Sequence, residues 1–393
     1  MSWKKMDFDL SDVGTFTYES GPVHYDDFPQ NDEPVYLLGN KYSTIYDRDE
    51  LKHDFLSKIW ITYRKNFAAI GGTGPTSDSG WGCMLRCGQM MLAQSLIMRH
   101  CGRDWKWTEG CKDEKYWKII RMFQDKKSSY YSIQQIDMKI TASFIDHDYY
   151  HVVFTASMGV SEGKNIGQWF GPNTVAQVLK KLVVYDEWSS LVIHVAMDNT
   201  VIEEDIKCLC KGIQKDESRQ IIESEKLVIK GAEGQSSTSS QCRNTGSLQH
   251  TKRGPVNVDK WKPLLLFIPL RLGLTDMNSV YKESLKSCLS FPHTVGIIGG
   301  RPNHAHWFVG YIGDKLIYLD PHTTQLTVNL DDKSPSDNSY HCPYPCSMNI
   351  MDLDPSIAVM DNSRTVMKTL NCLVKPETPL FQDMVYDWLR AVM

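Results

Sequence analysis

Apolar residues return at helical spacing in four parts of the chain, and capping signals stand before several of them. The pattern predicts helices over Leu51–Phe67, Cys83–His100, Val175–Leu182 and Val201–Cys210. The segment Gly171–Thr174 supplies a stop-and-cap signal before the third of these helices. We therefore expect helices with defined starting points rather than a continuous helical repeat.

Short apolar runs dominate the last third of the chain and predict strands. They cover Leu264–Leu270, Thr294–Ile298, Trp307–Ile312 and Leu316–Leu319. The last two runs flank Gly313-Asp314, which is typical of a tight hairpin turn. A β-hairpin is therefore predicted there.

Two regions lack a sustained apolar period. Residues 1–31 are acidic and turn-rich, and we interpret them as a flexible N-terminal arm. Residues 211–259 are rich in Ser, Gly, Gln, Lys and Glu, a composition that buries too little apolar area to fold alone. They are predicted to form a flexible surface insertion.

Composition and charge exclude some classes of function but do not identify one. The 43 basic and 47 acidic residues give 393 residues a net charge of −4, so no general attraction to nucleic acid or to an anionic membrane is expected. No signal peptide or membrane span is indicated, and the 11 cysteines are unevenly spaced, which favours free thiols in a reducing cytoplasm. Because Cys208-Leu-Cys210 is too tight for the usual metal knuckle, no metal or other cofactor is predicted.

Cys83 is a candidate nucleophile. It follows Gly80-Trp-Gly82 and begins a predicted helix, whose dipole and unpaired amides favour a thiolate. A lone cysteine is otherwise most often a small core residue, and that alternative stands. Cys87, one turn later, is interpreted as packing, with a redox role as the alternative.

A thiol nucleophile needs a base and a group that orients the base. Asp320-Pro-His322 ends a predicted strand, so its two polar side chains can project from one face. His304 and His306 open the other strand of the hairpin, and His304 precedes Asp320 at a papain-like separation. Sequence physics alone leaves His304, His306 and His322 open as the base.

Several long segments together resemble the autophagins, the autophagy cysteine proteases that process ubiquitin-like modifiers. The likeness runs from about residue 32 to residue 359. The segments that carry it are Trp60–Phe67, Ile70–Met90, Gly163–Gln177, Ile268–Leu274 and Tyr318–Gln325.

The resemblance implies an α+β, papain-like catalytic domain over residues 32–359, with a small auxiliary subdomain. It implies Cys83 as nucleophile, His322 as base and Asp320 as its orienting group. His304 and His306 are then left with loop roles.

The resemblance also implies roles in substrate binding. Tyr63 is expected to stabilise the oxyanion, together with the Cys83 amide. Trp169 is expected to cover a narrow channel that admits only glycine before the scissile bond. Arg271 and Leu274 are expected to contact the modifier, although a solvated arginine beside a strand is the ordinary alternative.

The implied reaction is hydrolysis after the modifier's C-terminal glycine, through an acyl-enzyme. The implied substrates are the precursor modifier and its phosphatidylethanolamine conjugate, so a monomeric enzyme would reach membranes only through its substrate. A catalytically impaired chain that binds and sequesters modifiers is the alternative. A transferase that passes the acyl group to an amine is a third hypothesis.

Two segments depart from the family pattern. Residues 137–157 form an atypical, apolar and aromatic insertion. After Val359 the family continues with a Gly-Phe-Phe core strand, whereas this chain has an atypical segment over residues 360–393. We therefore expect a core strand to be lost at that point, at a cost of several kcal/mol.

Overall fold

The computed structural model describes residues 27–137, 165–197, 201–212, 261–301, 304–332 and 334–363. The chain divides into two compact units, one formed by residues 1–201 and 263–393 and one by residues 202–262. Of the predicted segments, residues 1–26 of the arm, 138–157 of the first insertion, 213–259 of the second and 364–393 of the C-terminal segment lie outside the described residues.

The helices of the described residues are, in chain order, α1 (Arg48–Leu56), α2 (Cys83–His100), α3 (Glu114–Arg121), α4 (Ile133–Asp137), α5 (Pro172–Leu182), α6 (Glu203–Lys211) and α7 (Lys282–Ser290). The predicted helices at α2, α5 and α6 are confirmed. Helix α6 belongs to the smaller unit and ends at Gly212, whose φ of 67° is the left-handed conformation that glycine adopts easily. None of the described helices is both long and apolar enough to cross a membrane.

The strands of the described residues are β1 (Pro34–Leu37), β2 (Asn40–Ser43), β3 (Arg64–Lys65), β4 (Val192–Val195), β5 (Leu264–Arg271), β6 (Thr294–Arg301), β7 (His304–Ile312), β8 (Lys315–Leu319), β9 (Gln325–Leu326), β10 (Cys346–Asn349) and β11 (Ser356–Ser363). In the larger unit nine of these strands form a sheet in the order β10-β8-β7-β6-β11-β5-β4, in which β1 joins β2 to β7, and β3 and β9 form a separate two-stranded sheet. The β4–β5 pair is parallel and the other pairs of this sheet are antiparallel. The four predicted strands and the hairpin at Gly313 are confirmed.

The predicted helix over Leu51–Phe67 is correct only in about its first third. Helix α1 ends at Leu56, and the chain then makes bonds to distant segments. The Trp60 amide donates to the Tyr340 carbonyl at 2.8 Å, and β3 pairs in parallel with β9. Tertiary hydrogen bonds therefore replace the helical pattern that the apolar spacing predicted.

Helix α2 forms the centre of the larger unit. It is buried on nearly every side and packs against β6 and β7, with α3 and α5 also against it. At Gly88 the approach of α5 is so close that a Cβ would lie 2.3 Å from Val175 Cγ1. The start of α2 is thereby held at a fixed position relative to the sheet.

Two observed elements cross the segment boundaries drawn from the sequence. Residues 27–31 contact α1: Asp27 pairs with Arg48 and Lys52, and the Phe28 ring meets the Phe55 ring edge-on at 5.8 Å. Strand β11 continues past residue 359 to Ser363 between β5 and β6. The expectation that this core strand is lost is therefore wrong.

Candidate active site

The loop before α2 needs glycine at two positions, and it places Cys83 at the first position of the helix. Gly80 has a φ of +84°, which side chains rarely adopt, and the Gly82 amide donates to the Asp78 carbonyl at 2.9 Å. A Cβ on Gly82 would lie 2.3 Å from the Asp78 carboxylate. The loop therefore needs glycine where the sequence has it, and Cys83 itself is fully buried.

A buried ionic network anchors this loop to the helix. Arg86 donates from Nε and Nη2 to the two carboxylate oxygens of Asp78 at 2.7 and 3.0 Å, and from Nη1 to Asp125 at 2.8 Å. Asp78 also accepts the Arg64 amide at 2.7 Å. The loop, the helix and β3 are thus joined through one carboxylate whose charge is matched by Arg86.

Asp320 and His322 follow directly after β8. The His322 amide donates to Asp320 Oδ1 at 2.9 Å, and His322 Nδ1 lies 2.5 Å from the same oxygen. Their backbone is held in turn, because Trp60 Nε1 donates to the Asp320 carbonyl at 2.7 Å and the Tyr63 amide donates to the Pro321 carbonyl at 2.8 Å. The imidazole is therefore fixed by its carboxylate on one side.

The charges of Cys83, His322 and Asp320 stabilise one another. Burial alone would raise the pKa of the Cys83 thiol, but His322, the Ala305 backbone and the Tyr63 hydroxyl lower it below its usual 9.0. Burial would lower the pKa of His322, but Asp320 and Cys83 raise it to about 10. Burial would raise the pKa of Asp320, but the hydrogen bond from His322 and the neighbouring His306 lower it to about 2. A thiolate beside an imidazolium follows from these directions.

Tyr63 stands over the same pair. Its ring meets the His322 ring edge-on at 5.5 Å, and its hydroxyl lies against the Cys83 sulfur. Burial and the neighbouring Cys83 raise the pKa of Tyr63, so the phenol keeps its proton. A neutral O–H donor therefore faces the thiolate.

The sequence that forms this site matches a known protein family. Residues 48–366 match the family described as the peptidase C54 catalytic domain. The chain belongs to this peptidase family.

Curated relatives agree with that assignment. The chain is 49% identical over 352 residues to Cysteine protease ATG4B of Gallus gallus, which covers 88% of this chain and 81% of the relative. It is 46% identical over 347 residues to Cysteine protease ATG4A of Xenopus laevis, which covers 87% of this chain and 78% of the relative. The predicted autophagin membership, the papain-like α+β fold and the cysteine-type peptidase class are confirmed.

In this C54 peptidase the other two candidate bases, His304 and His306, lie beside His322 and Asp320. His304 and His306 belong to β7 and not to a loop, which corrects the expected loop roles. The His304 ring centroid is 5.2 Å from that of His322, and His306 Nδ1 is 4.0 Å from Asp320 Oδ1. The ring of His322 is hydrogen-bonded to Asp320 through Nδ1.

Sequence reasoning missed how close His306 comes to Asp320. Burial lowers the pKa of His306 to about 3, although Asp320 acts in the opposite direction, so its imidazole is neutral. Strands β7 and β8 are antiparallel and pair Trp307 with Leu319, which brings His306, the residue before Trp307, close to Asp320, the residue after Leu319. A register counted back from the hairpin turn would place Trp307 opposite Asp320, because the irregularity between Phe308 and Gly310 shifts the upstream part of β7 by one residue, so no local signal in the sequence gives this contact.

Cys87 lies one turn after Cys83 in the core of α2. It is fully buried, and burial and the nearby Cys83 and Asp320 raise its pKa well above the usual value. A protonated, enclosed thiol suits the packing interpretation. The redox alternative for Cys87 stays a prediction.

The remaining predicted residues lie at the surface. Trp169 is 37% exposed in the loop before α5. Arg271 ends β5 and donates to the carbonyl of Leu274, whose side chain is 86% exposed. Strands β5 and β8 run in the same direction in the sheet, so Arg271, at the end of β5, and Asp320, just after β8, lie at the same edge of the sheet. The two strands are four strand spacings apart, each of about 4.8 Å.

Proposed function

We propose that this chain is an autophagy endopeptidase that cleaves ubiquitin-like modifiers after their C-terminal glycine, with Cys83 as nucleophile. The observation that carries the proposal is the alignment of Cys83, His322 and Asp320 at the start of a buried helix. The names of its relatives, cysteine proteases ATG4A and ATG4B, support the biological process.

Acylation follows from the charges of the site. The Cys83 thiolate attacks the carbonyl carbon of the glycine, and the electrons move to the carbonyl oxygen. The backbone amide of Cys83, which needs no partner in the first helical turn, and the Tyr63 hydroxyl can donate to that oxyanion. The His322 imidazolium then gives its Nε2 proton to the leaving amine, and a thioester remains on Cys83.

In deacylation His322 accepts a proton instead of donating one. The neutral His322 takes a proton from water, and the resulting hydroxide attacks the thioester carbonyl. The thiolate leaves and the glycine carboxylate is released. Asp320 holds Nδ1 throughout, which leaves Nε2 as the nitrogen that exchanges the proton.

Two leaving groups fit one mechanism. The precursor modifier carries a peptide amine after its glycine, and the lipid conjugate carries the ethanolamine nitrogen of phosphatidylethanolamine. Both bonds are amides on the same glycine carbonyl, so one acyl-enzyme serves activation and release. The enzyme works in the cytoplasm as a monomer without a cofactor and meets membranes through its lipidated substrate.

Substrate recognition extends from the thiolate along one edge of the sheet. We assign contacts with the folded part of the modifier to Arg271 and the exposed Leu274, because their turn leaves the same edge as Asp320. We assign the glycine-selective channel to Trp169. An exposed leucine of this size is apolar area available to a partner.

The test is cleavage of a modifier precursor extended beyond its terminal glycine, with the parent chain and its Cys83→Ala, His322→Ala and His304→Ala variants. The parent and His304→Ala should release the extension, and the other two should not. Survival of His322→Ala with failure of His304→Ala would overturn the assignment of the base.

Binding of the uncleaved precursor is measured in parallel. A folded parent chain that binds the modifier yet leaves it intact would favour the sequestering function. A parent that transfers the modifier to an added amine faster than to water would favour the transferase.

A further inference from the structure

We propose that His306, Asp320 and His322 form a binding site for a divalent transition-metal ion, with Zn²⁺ as the preferred ion, and that occupancy blocks the peptidase reversibly. The three residues each offer one ligand atom, and these atoms lie within 4.8 Å of one another. The binding site itself stands on that geometry. The inhibitory consequence rests on the proposed function.

His306 is the member that points to a ligand. Its side chain is enclosed by the sheet, with the Tyr318 ring 4.2 Å from its own by centroids. Within the described part of the chain, its buried Nδ1 has no hydrogen-bond partner. The peptidase mechanism gives this nitrogen no task, yet a buried polar atom without a partner is costly to keep.

The donor set fits zinc chemistry. Two imidazoles and a carboxylate are ligands of Zn²⁺ sites that keep a fourth position open for water. With zinc–ligand distances of about 2.0–2.1 Å, tetrahedral ligands lie about 3.3 Å apart. The observed distances from Asp320 Oδ1 are 2.5 Å to His322 Nδ1 and 4.0 Å to His306 Nδ1. On metal binding the first distance must therefore lengthen and the second must shorten, each by less than 1 Å.

Metal binding would disable the proton-transfer pair. The ion displaces the Nδ1 proton of His322 to solvent and takes both this nitrogen and the Asp320 oxygen as ligands. The metal-bound ring keeps one proton on Nε2 and could release it only as an imidazolate, so it can no longer exchange protons with the leaving amine and water, and Asp320 no longer orients the ring. Chelation of the ion restores the pair, so the inhibition is reversible.

A competing site lies on the opposite side of the same ring. Thiolates bind zinc well, and Cys83 faces the part of His322 that Asp320 does not occupy. Replacement of Cys83 separates the two arrangements, because the site proposed here does not use the sulfur. The experiment is therefore carried out on Cys83→Ala.

The first measurement is zinc affinity of the metal-free, full-length Cys83→Ala chain, by competition with a chromogenic chelator. We expect His306→Phe in this background to lower the affinity at least about tenfold, the scale seen when even a supporting group of a metal site is lost. His304→Phe, whose ring also borders His322, is the matched control and should leave the affinity unchanged. Equal affinity with and without His306 would overturn the proposal.

Two further readouts keep the result independent of folding and of activity. Thermal unfolding checks each variant, and His306→Gln replaces His306→Phe if the latter does not fold. Co²⁺ bound to the unsubstituted chain should give the same visible spectrum as in Cys83→Ala. A thiolate-to-cobalt band that disappears in Cys83→Ala would place the ion on Cys83 and contradict the proposal.

The inhibitory step is tested separately with the precursor assay. Added Zn²⁺ should stop cleavage by the unsubstituted chain, and a chelator should restore it. Zinc binding that depends on His306 in a chain that never cleaves the precursor would count against the proposed function and not against the metal site. Full cleavage at a zinc concentration that saturates the site would overturn the inhibitory role.

Discussion

At the scale of single residues, Cys83 is both enclosed and ionised, and this combination has a pH signature. The pKa of Cys83 lies below its usual 9.0 because His322, with a pKa of about 10, is its cationic neighbour. Iodoacetamide labelling of Cys83 should therefore rise with pH around a midpoint below 9.0. In His322→Ala the midpoint should move to a higher pH, since only the Ala305 backbone and the Tyr63 hydroxyl then oppose the effect of burial on the Cys83 pKa.

Peptide-resolved mass spectrometry across the pH range measures these midpoints, with His304→Ala as the control. Cys87 in the same digest is an internal reference, because its raised pKa should keep it unlabelled. Identical midpoints for Cys83 in the parent and in His322→Ala would contradict the ion pair.

Tyr63 gives a second prediction at this scale. Tyr63→Phe removes the hydroxyl that lies against Cys83 and leaves the ring packing on His322. Loss of one oxyanion donor lowers kcat by about 10²- to 10³-fold with little change in KM. Steady-state kinetics with the precursor measure both, with Tyr311→Phe on β7 as the control. A raised KM with unchanged kcat would instead assign Tyr63 to substrate binding.

The candidate residues could be found from the sequence, but their mutual geometry could not. Cys83 is conspicuous after Gly80-Trp-Gly82, and Asp320-Pro-His322 is local in the chain. The choice among three histidines depends on a register shift between Phe308 and Gly310 that moves the whole upstream part of β7 by one residue against β8. No local pattern announces that irregularity, so His306 beside Asp320 was not foreseen.

At the scale of elements, the packing of α2 on α5 sets the position of the nucleophile. Gly88→Ala should destabilise the protein by about 1–3 kcal/mol, because the new Cβ would lie 2.3 Å from Val175 Cγ1. Helix propensity alone favours alanine by about 1 kcal/mol, so the clash has to exceed that gain.

Urea unfolding measures this change. The double variant Gly88→Ala, Val175→Ala should recover part of the loss, because the two sites share one contact. A Gly88→Ala chain more stable than its parent would contradict the close approach of the helices.

The elements themselves were predicted unevenly. Helix α5 begins where Gly171-Pro172 marks it, and the β7–β8 turn falls at Gly313. The segment after Leu56 has helical spacing, yet the amides of Trp60 and Tyr63 donate to the carbonyls of Tyr340 and Pro321, which lie 280 and 258 residues further along the chain. Local signals therefore located elements whose ends are capped locally, and failed where the partners are distant in sequence.

At the scale of the whole molecule, a buried carboxylate in the central sheet makes stability depend on pH. Asp361 lies on β11, where its Oδ1 is buried without a hydrogen-bond partner among the described residues. Burial raises its pKa to about 6, although His293 and Arg103 act in the opposite direction. The folded chain thus holds this proton more tightly than the unfolded chain, whose aspartate has the usual value of 3.8.

Asp361 therefore lowers the free energy of unfolding, by an amount that grows as pH rises from about 4 to about 6 and reaches its full value above that range. Asp361→Asn should match the parent near pH 4 and exceed it by on the order of 1–3 kcal/mol at pH 7.5. Urea unfolding at both values measures the difference, with the exposed Asp276→Asn as the control. A parent that gains stability over Asp361→Asn as pH rises would contradict this account.

The central claim is that Cys83 attacks the carbonyl of a modifier's C-terminal glycine, and covalent trapping tests it most directly. A modifier whose terminal glycine carries a thiol-reactive vinyl sulfone is incubated with the full chain, and the adduct is mapped by peptide mass spectrometry. We predict one modifier per chain, attached at Cys83, absent in Cys83→Ala and slowed in His322→Ala. A chain that binds this modifier and stays unlabelled, or that carries the label on another cysteine, would contradict the account.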